Sequence, residues 1–202
     1  MSDSMDLSLS RDPRWLKLHD HAWICPCCGK THQGLFDIAC DKPDFWQRPE
    51  EQSPNSEVLT SGNVLTNVLS EDFCILNGEH FFVRCVLPLP IIGATHEHFA
   101  FGVWATLSKK NFNVYLDAFD AGDSGSLGPW FGWFSNRLPG YPDTLNLKCQ
   151  VYPQGNRQRP HIMLEATDHL LAIEQRQGIT FDRLLEIYAL SGHDMRAALL
   201  SA

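Results

Sequence analysis

No run of this sequence stays apolar for long. The richest, Val86–Ile92, is broken by Pro88 and Pro90 and falls far short of the roughly 18 consecutive apolar residues a membrane helix requires. No span is expected. Positive charge is also scarce, with 16 Lys and Arg against 24 Asp and Glu and a formal net charge of -8, and nowhere do basic residues gather into a block. Such a surface repels phosphate backbones and anionic lipid, which argues against nucleic-acid and membrane-surface partners. Met1 to Arg14 is polar and acidic and lacks the apolar core behind a basic start that marks a secretory signal, so a cytoplasmic location is expected. No repeat of fixed period is present, which sets aside solenoids and propellers.

What is there suffices to fold. Apolar residues make up 44% of the 202 positions, an ordinary globular share, and the length can bury a core without covalent staples. His80–Leu87, His98–Leu107, Trp130–Ser135, Leu145–Tyr152 and His161–Glu165 read as strands, because they are rich in β-forming residues and several alternate with period two. Ser108 reads as the cap of a helix through Asn111–Phe119, in which Phe112, Tyr115, Leu116 and Phe119 fall on one face. Further helices are predicted from near Asp168 and from near Thr180, the second repeating through Leu184, Leu185 and Tyr188 until Ser191-Gly192 stops it. Residues 48–63 and 121–129 read as loops from their prolines, glycines and serines. Consecutive strands outnumber helices, so the class is α+β: a largely antiparallel sheet with flanking helices and an N-terminal zinc-knuckle-like turn. The expected organisation is an N-terminal extension over residues 1–22, a single α+β domain over 23–180, and a C-terminal helical segment, 181–202, packed on it.

The knuckle carries the clearest chemistry. Seven cysteines, an odd number, fit a disulfide framework poorly, and three of them crowd into Cys25, Cys27 and Cys28. The Cys25-x-x-Cys28-Gly29 spacing lets a tight turn aim two thiolates at one ion, with Gly29 free to take positive φ. Thiolate donors favour zinc over magnesium or calcium. No second C-x-x-C follows, so the remaining ligands come singly, and His32, four residues beyond Cys28, is the nearest candidate. Cys40 would extend the string toward a nucleic-acid-binding zinc knuckle, but the segment around it has no basic excess. A redox C-x-x-C would need a thioredoxin-like βαβ context that is not seen. The plain alternative is a pair of buried thiols.

Other patterns carry less. Gly122-Asp123-Ser124-Gly125 copies the surroundings of a protease nucleophile, yet a Gly/Ser loop accounts for it. His96-Glu97-His98 puts two imidazoles on one face of a strand, but Gly93-Ala94-Thr95 just before it suggests exposed histidines at a hairpin tip. Trp104, Trp130 and Trp133 are candidate pocket walls, with core packing the commoner fate of such residues.

Several strings appear in order along residues 23–180: Cys25-x-x-Cys28-Gly29-x-x-His32-x-Gly34-Leu35, Asp72-x-Cys74, Phe82-x-Arg84, Phe101-Gly102-Val103-Trp104, Leu138-Pro139-x-Tyr141-Pro142-x-Thr144-Leu145, Arg159-Pro160, and Asp168-His169-x-Leu171-Ala172-x-Glu174-Gln175-x-x-Gly178-Ile179. Together they make the chain resemble a bacterial family of uncharacterised proteins, domain of unknown function 2199. The resemblance brings no activity with it. It lowers the weight of Cys27, Cys40, His96 and His98, which fall outside the family's pattern, and raises Cys74, Arg84, His169 and Gln175, which lie inside matching strings. His169, where a strand hands over to a helix, would complete a Cys2His2 metal site with Cys25, Cys28 and His32; the alternative is that Asp168 caps the helix and His169 packs in its first turn. Cys74 is the reserve ligand. The expectation is a cytoplasmic binding or interaction module with a structural zinc and a possible protein partner, rather than a catalyst. Two alternatives stand beside it: a zinc-dependent hydrolase with an open metal position, Glu174 being the nearest acid/base nominee, and an acidic immunity or antitoxin-type partner protein.

Overall fold

The computed structural model describes residues 9–20, 22–25, 28–49, 52–61, 65–94 and 96–200. In chain order the elements are α1 (Pro13–Asp20), β1 (Trp23–Ile24), β2 (Thr31–His32), β3 (Ile38–Ala39), α2 (Asn55–Ser61), β4 (Val68–Leu69), β5 (Phe73–Leu76), β6 (His80–Pro90), β7 (His98–Leu107), α3 (Lys109–Ala121), β8 (Trp130–Trp133), β9 (Lys148–Tyr152), β10 (His161–Leu164), α4 (Leu170–Gln177), α5 (Phe181–Leu190) and α6 (Arg196–Leu200). The fold is α+β, with a mostly antiparallel sheet of eight strands beside a separate two-stranded hairpin of β1 and β2.

The long hairpin of β6 and β7 is the spine of the sheet, paired from Phe81↔Leu107 to Pro90↔His98. Period-two alternation sends Phe81, Val83, Cys85, Leu87 and Leu89 of β6, with Phe99, Phe101, Val103, Ala105 and Leu107 of β7, into the main core. On the opposite face Phe82 and Trp104 join Trp46, Leu69 and Cys74 in a smaller cluster. Both faces of the hairpin are therefore covered, which explains why its strands read as nearly continuous apolar runs.

From this spine the sheet spreads both ways. Short β3 runs parallel to β7 at Ile38↔Phe101, and on the far side β5 takes the first half of β6 while β10 touches the second half at the parallel pair His161↔Val86. β9 and then β8 continue antiparallel from β10. The sheet is not closed, although one bridge between Ala105 and Phe134 ties its far end back toward β7. Where β10 leaves β6, the buried Gln175 of α4 supplies the missing sheet bonds: its side-chain oxygen accepts from Leu164 N–H at 2.8 Å and its nitrogen donates to Ile162 C=O at 2.7 Å.

The helices cover the main core. α3 buries Phe112, Tyr115, Leu116 and Phe119, the face its spacing predicts, and Ser108 Oγ accepts from Asn111 N–H at its start. Phe73 meets Phe119 edge-on at 5.2 Å, and removing a buried ring of this kind costs about 3–5 kcal/mol. Thr180 caps α5 through Arg183 N–H, and that helix buries Phe181, Leu184, Leu185, Ile187 and Tyr188. Three segments show local structure that the sequence reading does not specify. Residues 13–20, expected in an extension, form α1, whose Trp15 and Leu18 enter the main core. α2 lies inside a stretch read as loop, and residues 124–126 of the other form a 3-10 turn. Among the described residues no helix is long and apolar enough to cross a membrane.

Candidate metal centre

The hairpin of β1 and β2 brings its own turn residues together. Trp23↔His32 and Ile24↔Thr31 pair antiparallel, Cys25 N–H donates to Lys30 C=O at 2.8 Å, and Gly29 N–H donates to Cys25 C=O at 2.9 Å. Gly29 sits at φ 68 with nothing near the place of a Cβ, so glycine is required there by backbone conformation rather than by space. This geometry sets Cys28 Sγ 3.3 Å from His32 Nε2 on the returning strand. The buried thiol of Cys25 faces elsewhere in the chain: His193 Nδ1 lies 3.8 Å from it. Gly192, at φ 84, turns the backbone out of α5, and His193 N–H then donates to Tyr188 C=O at 2.8 Å.

One ligand atom from each of Cys25, Cys28, His32 and His193 thus falls within 4.8 Å of every other. A tetrahedral zinc with bonds of about 2.3 Å to sulfur and about 2.0–2.1 Å to nitrogen spaces its donors about 3.3–3.8 Å apart, so closure by about 1–1.5 Å at the widest pair suffices. Two thiolates and two neutral imidazoles also balance a divalent charge. Burial, helped by His193 and Lys30, lowers the His32 pKa and so favours the neutral imidazole whose lone pair a metal needs.

An aromatic stack holds the two histidines in place. His32 lies on Phe36 at 4.3 Å, Phe36 lies on Tyr188 at 4.4 Å, and the His193 ring meets Phe36 edge-on at 5.3 Å. Such support fixes ring orientation before any metal arrives.

The other sequence candidates lie elsewhere. His169, expected as the fourth ligand, is not in the group, and His193 stands in its place. His169 is the N-cap of α4, its Nδ1 accepting from Leu171 N–H at 3.2 Å, so the histidine and not Asp168 caps that helix. Cys74 is buried in the smaller core cluster and Cys40 packs against it, burial pushing both thiols up to about 12, and neither belongs to the Cys/His group. Cys27 lies outside the described residues. Glu174 has both carboxylate oxygens engaged, one by the Tyr141 hydroxyl and one by Arg183 Nε at 2.9 Å. Ser124 is buried and donates to Gln154 C=O, as a loop residue would. His96 and His98 are exposed and belong to no metal-capable group among the described residues. Trp104 is fully buried, Trp130 packs against the main core, and Trp133 is 39% exposed. His193 had one faint sequence signal, its position directly after the Ser191-Gly192 helix stop.

Fold and site together define a class: a mixed α+β protein in which a hairpin and the end of a distant helix share a Cys/His group that could hold a metal. The chain belongs to the family described as an uncharacterised protein conserved in bacteria, DUF2199, whose match spans residues 24–179. That span takes in Cys25, Cys28 and His32 and stops short of His193. No curated protein and no solved structure matches the chain.

Proposed function

We propose that this protein is a binding or interaction module whose fold is fastened by a structural zinc ion on Cys25, Cys28, His32 and His193. The observation that carries the reading is the convergence of these four donors within 4.8 Å of one another. Four protein ligands fill a tetrahedral zinc and leave no position for water, so the ion contributes folding free energy instead of a nucleophile. A reducing cytoplasm suits thiolate ligands of this kind. With a net charge of -8, a protein partner would be a basic one.

Elemental analysis of untagged protein, purified without added metal, tests the zinc. One equivalent is expected in the wild type, with loss in both Cys28→Ser and His193→Ala. Absence of metal from the wild type, together with unchanged thermal stability in Cys25→Ser, overturns the reading. A pull-down from native lysate that yields no stoichiometric basic protein removes the partner from it.

A further inference from the structure

The second face of the sheet carries a cavity that shares no residue with the metal centre. Its volume is about 340 Å³, and it is lined by Phe45, Leu76, Asn77, His80, Phe82, Thr106, Trp133 and Asn146. The strand register explains the wall. His80 and Phe82 are alternate residues of β6, Leu76 of β5 sits opposite His80, and Thr106 of β7 sits opposite Phe82. Phe45 and Phe82 stack at 6.2 Å, while Trp133 is braced by Phe131, edge-on at 5.0 Å. Phe45 and Trp133 are each 39% exposed, so both present ring surface to the cavity.

The polar groups of the wall have capacity to spare. Thr106 Oγ1 accepts from Trp133 N–H at 2.9 Å, which leaves its own hydroxyl hydrogen available. Asn77 Oδ1 accepts from Arg48 at 3.3 Å, and its NH₂ group has no acceptor among the described residues; the His80 and Asn146 side chains make no hydrogen bond among them. Among the described residues no Lys, Arg, Asp or Glu lines the cavity. Beyond His80, Thr106 and Trp133, which both spaces share, lies a second cavity of about 410 Å³, where Glu79, Ser108 and Asn111 make the wall more polar.

We infer that this face binds a neutral, planar aromatic or heteroaromatic small molecule of one or two rings. The volume falls at the small end of the roughly 300–1,000 Å³ range of ligand pockets, and three aromatic rings with a few placed polar groups are the usual composition of such sites. An aromatic guest gains offset or edge contacts with Phe45, Phe82 and Trp133, while Thr106, Asn77, His80 and Asn146 supply donors and acceptors at its rim. Among the described residues the lining holds no carboxylate, ammonium or guanidinium, and the neighbouring Arg48 guanidinium is engaged at Asn77 Oδ1, so an ionised guest would lose its hydration without a direct partner.

The test uses full-length protein and two fluorescent probes of the same two-ring system, neutral 1-naphthylamine and its anionic sulfonate analogue, 5-aminonaphthalene-1-sulfonate. Saturable binding of one neutral probe per chain is expected, with the anionic probe at least tenfold weaker. Trp133→Ala should weaken the neutral probe at least tenfold while leaving the thermal midpoint within a few degrees. Phe45→Ala is the second variant should the first fail to fold. Absence of saturable binding, preference for the anionic probe, or undiminished affinity in the folded variant overturns the inference. Zinc content is read in the same samples, so failure here is distinguishable from failure of the metal reading.

Discussion

Tyr188 and Phe36, far apart in sequence, are joined twice through one hydroxyl. The Tyr188 O–H donates to Phe36 C=O at 2.7 Å, and its oxygen accepts from Phe36 N–H at 3.1 Å, while the two rings stack at 4.4 Å. A buried side chain on α5 thereby completes the backbone of the segment that follows β2. Tyr188→Phe keeps the ring and strands both backbone groups. Destabilisation of about 1–3 kcal/mol is expected in urea unfolding. The same variant should bind zinc more weakly in a chelator competition, because Phe36 then supports His32 and His193 less firmly.

His169 and His193 should behave in opposite ways. His169→Ala removes an N-cap and is expected to cost about 1 kcal/mol while zinc stays at full stoichiometry. His193→Ala should lose the zinc. Parallel melting curves and elemental analysis of the two proteins check this, and retention of metal in His193→Ala with loss in His169→Ala would reverse the assignment.

Gln175 replaces a strand neighbour for β10. Gln175→Met has nearly the same shape but can satisfy neither Leu164 N–H nor Ile162 C=O, and a loss of about 2 kcal/mol or more is expected. Hydrogen exchange at Leu164 should quicken in the variant, since that amide loses its acceptor. An unchanged exchange rate would mean that β10 finds another partner.

Buried thiols predict an alkaline weakness. Burial pushes the Cys74 and Cys149 thiols up to about 12 in the folded chain, against an ordinary value of 9.0. Their stabilising contribution is complete below 9 and declines as pH rises toward 12, because the unfolded thiols release protons that the folded ones retain. Each contributes a slope of up to about 1.4 kcal/mol per pH unit. Urea midpoints measured from pH 8.5 to 10.5 should fall with pH, and Cys74→Ala should fall less steeply, whatever its stability at neutral pH.

Much of the fold is legible from local pattern, and the exceptions share a cause. The face of α3, the hairpin strands β6 and β7, and the Thr180 cap are each written in consecutive residues whose spacing matches the element. β3 and β4 are two residues each, too short for any period, and owe their existence to the strands they pair with. The Cys/His group divides the same way. Cys25, Cys28 and His32 are visible because one hairpin holds them, whereas His193 is brought in by the packing of α5, and no local spacing could distinguish it from His169. His169 instead starts α4, the helix that presents Gln175 to β10.

The proximity of Cys25 and His193 spans 168 residues of chain. At about 5–20 residues per second, roughly 8–34 seconds of synthesis separate the two on the ribosome. During that interval the hairpin offers three donors, and a metal held by it keeps an exchangeable position. On the proposed reading full coordination therefore comes late, after α5 has been made and has docked, so that stable retention of a metal would report that the distant parts of the protein have found each other.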